Sequence, residues 1–129
     1  MINLISNKEL ALRWSEFEPQ VNKAIAHGIG EATAHDLFVE CMTCNAQFWE
    51  LDKGVGITRF ISFPQHKSLQ IVTLTGRGVI KHLETYHKVI DQFAKETGCH
   101  NVLVYGRDKW DKVLPTGYKK AYSVFSKEL

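Results

Sequence analysis

Between residues 68 and 105 the chain changes its apolar period twice, and few architectures accept that pattern. Residues 68–74 (SLQIVTL) read as a short strand, with Leu69, Ile71 and Leu74 apolar and Val72 on the other face. Thr75-Gly76-Arg77-Gly78 then opens a helix. Its apolar residues recur at three and four: Val79/Ile80, Leu83, Tyr86/His87, Ile90 and Phe93/Ala94, with Gly98 to end it. Residues 102–105 (VLVY) return to a strand. A strand, helix, strand run of roughly thirty residues predicts a right-handed crossover that sets the two strands parallel.

Upstream the period is two. Residues 46–51 (AQFWEL), 55–63 and 68–74 alternate, separated by Asp52-Lys53-Gly54 and Pro64-Gln65-His66-Lys67, which predicts an antiparallel three-strand meander. Residues 1–6 read as a short strand, and Asn7 as the cap of a helix carrying Leu10, Trp14, Phe17, Val21 and Ile25. Pro19 is expected to break that helix in two, and Gly28 and Gly30 to stop it. Thr33 is the expected cap of a second helix, with Asp36 in its first turn and Leu37, Phe38 and Cys41 as its buried stripe. Asn45 is expected to supply the left-handed residue that ends it.

After Tyr105 the pattern is a short helix around Trp110, a stop at Pro115, a Gly117-Tyr118 turn and a last strand at residues 121–125 (AYSVF). The predicted order is β, α, α, β, β, β, α, β, short α, β. This is one α/β domain over residues 1–129, with a mixed, mostly antiparallel sheet of about six strands and helices on both faces.

Charge and composition remove several classes of function. A formal net charge of +2, with both signs interspersed, argues against a nucleic-acid partner. No window approaches the ~18 apolar residues of a membrane span, and the first residues lead into no secretory signal, so no membrane partner is expected. Three cysteines are an odd count, which argues against a disulfide framework. Cys41-Met42-Thr43-Cys44 closes an apolar helical pattern, and Cys99-His100 is adjacent rather than spaced, so these read as structural thiols and no metal site is expected. The six histidines show no ligand spacing.

The junction Thr73-Leu74-Thr75-Gly76-Arg77-Gly78-Val79 carries the strongest chemical signal. A helix N-terminus offers unpaired N–H groups to an anion, and glycines let backbone approach a phosphate. Arg77 and Lys81 add positive charge nearby. The Gly-Lys-Ser/Thr ending of a nucleotide-binding P-loop is absent.

These residues, with the element order and the closing series, resemble the GNAT acetyltransferase superfamily. The chain is similar in particular to small GNAT-like proteins encoded by tailed phages and prophages. The resemblance spans nearly the whole chain: Gln47-Phe48-Trp49, Gly76-x-Gly78, Gly98-Cys99, residues 102–105, Gly106-Arg107, Trp110, Leu114-Pro115 and Gly117-Tyr118. It implies a splay between the fourth and fifth strands in which an acyl thioester and its pantetheine arm lie. Acetyl-CoA is the implied cofactor, running along Val72, Thr73 and Leu74 with its phosphates on Gly76, Arg77, Gly78 and Val79.

The sequence departs from the family at positions that bear on chemistry. Thr73 stands where Arg or Gln opens the cofactor loop, and Val113 where many members have a Tyr that protonates the departing thiolate. Arg107 and Trp110 replace the usual Asn and Ala, and residues 68–74 contain no carboxylate. The remaining acid–base candidates are Glu50, Asp52, Tyr105, Tyr118 and Tyr122. Two functions stay open. One is transfer of an acetyl group from acetyl-CoA to an amine. The other is a non-catalytic phage virion or morphogenesis component, or an effector that binds a host protein. The implied location is the host cytoplasm or the virion.

Overall fold

The computed structural model describes residues 1–28, 30–105 and 112–129. In β2 (Ala46–Leu51) the alternation sends Ala46 and Phe48 to one face and Trp49 and Leu51 to the other, and all four are buried. A strand buried on both faces must lie inside a sheet covered on both sides. The sheet is five-stranded, in the order β1 (Ile2–Leu4), β2, β3 (Gly54–Ser62), β4 (Lys67–Gly76) and β5 (Asn101–Val104). Neighbours are antiparallel through β4, and β5 is parallel to β4, so the expected meander and parallel crossover are both present.

Helices α1 (Asn7–Ile25) and α2 (Ala34–Met42) cover the Phe48 face. Leu10, Phe17, Val21, Leu37 and Cys41 pack there with Val55 and Ile57, and the Phe17 and Phe48 rings lie 4.8 Å apart. Each such side chain taken from water contributes about 1.5–3 kcal/mol. Arg13 also ties α1 to β2, donating to both Glu50 oxygens at 2.6 and 3.0 Å. Helix α3 (Leu83–Glu96) follows a 3-10 turn at Ile80–His82 and covers the other face. Its Leu83 and Tyr86 pack on Trp49 and Leu51, and its Ile90 and Ala94 on Leu69 and Ile71. The Trp49 indole donates to Thr58 Oγ1 at 2.9 Å, and that hydroxyl donates to Gln47 Oε1 at 2.7 Å, so these three side chains pair with one another. His87 Nε2 and the Tyr118 hydroxyl are buried without a hydrogen-bond partner among the described residues.

Four expectations are corrected. Pro19 does not break α1, which is continuous from Asn7 to Ile25. Pro19 and Ser15, whose carbonyl loses its donor, both lie on the exposed face, while buried Phe17 and Val21 hold the helix down on either side. The cap of α1 is Ser6, whose hydroxyl accepts from the Glu9 amide at 3.2 Å; Asn7 instead reaches the Met42 carbonyl. The left-handed residue after α2 is Cys44, at φ 65°, because Asn45 is already in the sheet's ladder, its carbonyl accepting from the Phe60 amide. Thr33 caps α2 with Asp36 in its first turn, as expected, and the structure adds that the two form a reciprocal capping box.

The fourth correction concerns the sheet's far end. Among the described residues, 121–125 form no strand, so the sheet has five strands rather than six. Strand propensity records fit to a half-buried pleated surface and does not by itself form a ladder. The expected short helix around Trp110 lies largely outside the described residues.

Candidate functional site

Strands β4 and β5 separate partway along β4. Ser68 pairs with Asn101 and Ile71 with Val104, and there the β4–β5 ladder ends. On its other edge β4 remains paired to β3 as far as Gly76 opposite Gly54. The register with β3 slips at this same point: Thr58 faces Ile71 while Ile57 faces Thr73, so Val72 is an extra residue on β4. A bulge of this kind bends a strand and increases its twist. Past Val72, the β4 groups facing the β5 side have no strand partner among the described residues. Such an edge accepts an extended, amide-bearing ligand as it would accept another strand.

The open edge leads into the glycine loop, and the two glycines serve different ends. Gly76 has φ 137°, and a Cβ on it would lie 2.4 Å from the Lys53 carbonyl oxygen. Its bareness lets the β2–β3 turn close against the end of β4, where the Arg77 amide donates to that carbonyl at 3.2 Å. Gly78 has φ 75° and open space around it, so it serves the path of the chain alone. Among the described residues the Gly78 and Val79 amides have no backbone partner. Arg77 and Lys81 are exposed, and residues 76–82 contain no carboxylate. Unpaired amides beside two cations form an anion-accepting surface.

The residues expected at the cofactor therefore divide along one continuous path. Val72 is the bulge and packs toward α1 and α2. Thr73 is paired with Ile57 inside β4, not in the loop, and Leu74 packs on the α3 face. Gly76, Arg77 and Gly78 form the exposed turn, while the Val79 side chain is buried with Trp49 and Tyr86. The helix expected to start at Gly78 starts at Leu83, because the 3-10 turn intervenes and its His82 amide bonds back to the Val79 carbonyl. No residue pattern marked the bulge in advance; Ile-Val-Thr-Leu is equally at home in a regular strand.

The acid–base candidates do not gather at this gap. Glu50 is held by Arg13 on the α1 face. Asp52 accepts from the Met1 amino group at 2.7 Å and from the Tyr86 hydroxyl at 3.2 Å, and that amino group holds its carboxyl below the usual aspartate range. The Tyr118 ring meets His87 edge-on at 5.4 Å, and burial pushes its phenol up. Tyr105 and Tyr122 face each other, hydroxyls 3.3 Å apart, a contact that raises the Tyr105 phenol. Val113 packs against the Trp49 cluster. One carboxylate not singled out from sequence lies on the Val72 face: Glu40 of α2 contacts Arg59 at 3.4 Å, and Arg59 in turn donates to Gln70 Oε1 at 2.8 Å. Tertiary folding alone brings α2 to these strands, so no local pattern could have found it.

The cysteines lie apart. Cys41 is buried beneath α2, where burial pushes its thiol up to about 12, and Cys99 packs on the opposite, α3 side of the sheet. Two surface cavities, about 480 and 170 Å³, lie between β1 and α3 and beneath the start of α1, and neither of these is lined by residues 72–79.

No family model and no curated protein matches the sequence. Solved structures do match its shape. A probable acetyltransferase superposes with a TM-score of 0.66 at 12% identity, over 99% of each chain. An aminoglycoside acetyltransferase from an uncultured soil metagenomic sample, solved with sisomicin, gives 0.65 at 12%, over 100% of this chain and 96% of that one. A ribosomal-protein-alanine N-acetyltransferase from Brucella melitensis biovar Abortus 2308 gives 0.60 at 12%, over 98% and 99%. The order of elements, the mixed sheet and these superpositions agree: the chain has the GNAT acetyltransferase fold.

Proposed function

We propose that this chain binds an acyl-CoA, acetyl-CoA first among them, along β4 and transfers its acyl group to an amine. The observation that carries this reading is the continuity of the open β4 edge with the glycine loop. The amides of a pantetheine arm suit the unpaired edge at Val72, Thr73 and Leu74. Its pyrophosphate suits the free amides of Gly78 and Val79 beside Arg77, with Gly76 shaping the turn. The residues fit the ligand at both ends, since one offers ladder groups and the other offers N–H groups and positive charge.

For transfer, the amine nitrogen attacks the thioester carbonyl, the carbon–sulfur bond breaks, and the thiolate leaves. The nitrogen must lose a proton and the thiolate gain one. With valine at position 113, no phenol at that position protonates the sulfur. This favours an acceptor that arrives as free amine, with water carrying the proton, and rates that climb with pH. The similar structures include enzymes named for an aminoglycoside, a protein alanine and glucosamine-6-phosphate, so the fold leaves the class of amine open.

A second reading has its own support. Half-buried Val113 against the Trp49 cluster and Thr73 inside the strand are what a binding protein that had dropped catalysis would keep. The phage or prophage origin implied by the sequence resemblance belongs with this reading, as a virion component or a ligand for a host protein. Calorimetric titration with acetyl-CoA separates the two. The transferase reading expects micromolar binding, weakened at least tenfold in Arg77→Glu/Gly78→Asp, and thiol release with a panel of amines. Absence of heat at millimolar ligand overturns it, and binding without thiol release supports the second reading.

A further inference from the structure

The Cys41-Met42-Thr43-Cys44 motif lies at the C-terminus of α2 and takes no part in the β4–β5 gap. The chain closes there with two backbone hydrogen bonds. The Cys44 amide donates to the Cys41 carbonyl at 3.1 Å and the Asn45 amide to the Glu40 carbonyl at 3.0 Å. Glycine ordinarily completes such a turn, because its left-handed residue strains any side chain. Here that residue is Cys44, at φ 65°. Cys41 is 2% exposed whereas Cys44 is open to solvent, and both line the cavity of about 170 Å³ beneath the start of α1. Asn7 Nδ2 donates to Cys44 Sγ at 3.5 Å, which sets that sulfur against the first turn of α1. Cys99 packs on the opposite side of the sheet, and among the described residues no group of three His, Cys, Asp or Glu side chains could hold a metal ion. A buried thiol and an exposed one, on a single turn and a single cavity, are left with each other as partners.

We propose that Cys41 and Cys44 form a reversible dithiol–disulfide site whose substrate is a small disulfide such as oxidised glutathione. Residues three apart in a helical turn stand roughly 5–6 Å between Cβ atoms, and a disulfide needs roughly 3.5–4.5 Å, so the turn must tighten by about 1 Å. That movement falls on its exposed end, and the cavity gives the Cys44 sulfur room to swing inward from Asn7. The Cys44 thiolate attacks one sulfur of the small disulfide, whose S–S bond breaks, and the first small thiolate leaves. The Cys41 sulfur then attacks the Cys44 sulfur of this mixed disulfide and expels the second. Two electrons pass from the protein to the small disulfide, and the two protein protons end on the small thiolates. Burial, with Glu40 beside it, keeps Cys41 protonated, so closure is the slow step and the mixed disulfide forms first. The bond fixes the passage from α2 into β2. The inference does not depend on acyl transfer.

The test equilibrates the intact chain, without oxygen, across ratios of reduced to oxidised glutathione. Samples are quenched in acid, alkylated in denaturant and read by mass spectrometry. Three alkylated cysteines are expected at the reducing end and one, Cys99, at the oxidising end, with Cys41 and Cys44 linked to each other and circular dichroism unchanged. Cys41→Ala should stop with glutathione held on Cys44. Cys44→Ser should leave Cys41 at least about tenfold slower to react, since its thiol is buried. That second variant changes an exposed residue and keeps the test should Cys41→Ala misfold. Three alkylated cysteines at every ratio overturn the proposal, as does an intact chain that halts at the mixed disulfide or a bond that engages Cys99. Oxidation that proceeds only with loss of the folded signal overturns it too, as does a Cys44→Ser chain whose Cys41 reacts undiminished.

Discussion

Strand β4 has two halves that differ in how much of their bonding capacity is spent. From Ser68 to Ile71 it is laddered on both edges, and all four side chains are buried. Over residues 73–75 it is laddered to β3 alone, with half-buried side chains. The extra residue Val72 divides them. Every backbone N–H and C=O needs a partner, so the first half has finished its hydrogen bonding while the second holds groups in reserve. Because the reserve is continuous with a fixed strand, a ligand finds those groups already oriented and loses little of its binding energy to ordering them.

The largest expected effect tests the finished half. Leu69 is fully buried, so Leu69→Ala should destabilise the fold by about 2–5 kcal/mol through lost transfer energy and a residual cavity. Thr73→Ala, on the other side of the bulge, should cost less than about 1 kcal/mol. Urea denaturation of both variants measures the contrast, and equal losses would erase the distinction between the halves.

A finer contrast lies inside the glycine loop. Gly76→Ala combines a left-handed backbone with a clash against the β2–β3 turn, for a loss of about 3 kcal/mol. Gly78→Ala meets open space and should cost only the backbone strain, about 1 kcal/mol. The readouts should cross over. Gly76→Ala should lower the melting temperature more, whereas charge reversal at Arg77 should leave melting unchanged and weaken only the ligand. A Gly78→Ala chain as damaged as Gly76→Ala would show that the loop is structural throughout.

The sequence carried these features unequally. Several features set by neighbours within four positions are legible in the sequence: the Thr33 cap, the stripe of α3, the alternation in β2; the Ser6 cap of α1, three residues before Glu9, is not. Pro19 was misread because its tolerance depends on which face of α1 meets solvent, and the sheet decides that. Asn45 lost the left-handed position to Cys44 because a hydrogen bond from β3 had already claimed it. The glycine pair was visible, but its division of labour was not, since the Lys53 carbonyl that constrains Gly76 comes from another turn. Glu40 and the bulge at Val72 arise from long-range packing and register. The run at residues 121–125 has strand chemistry but pairs with no strand among the described residues.

The smallest expected effect comes from acid. Asp52 sits in the β2–β3 turn that closes on Gly76, and it joins the Met1 amino group, that turn and Tyr86 of α3. Its folded pKa lies below its unfolded value, chiefly because of the amino group. The stabilisation is therefore fully present above the ordinary aspartate value of about 3.9 and is lost as pH falls through the folded value. Since the carboxylate is exposed, the effect should be modest and should shrink with salt. It should also be local. On acidification, amide protection should fall first in residues 74–76 and the β2–β3 turn, while Leu69 to Ile71 keep theirs. Asp52→Asn should start with the loosened turn at neutral pH and lose the acid step there. If both halves of β4 lost protection together in the native chain, the strand would open as one unit, and its free edge would be no more yielding than its buried half.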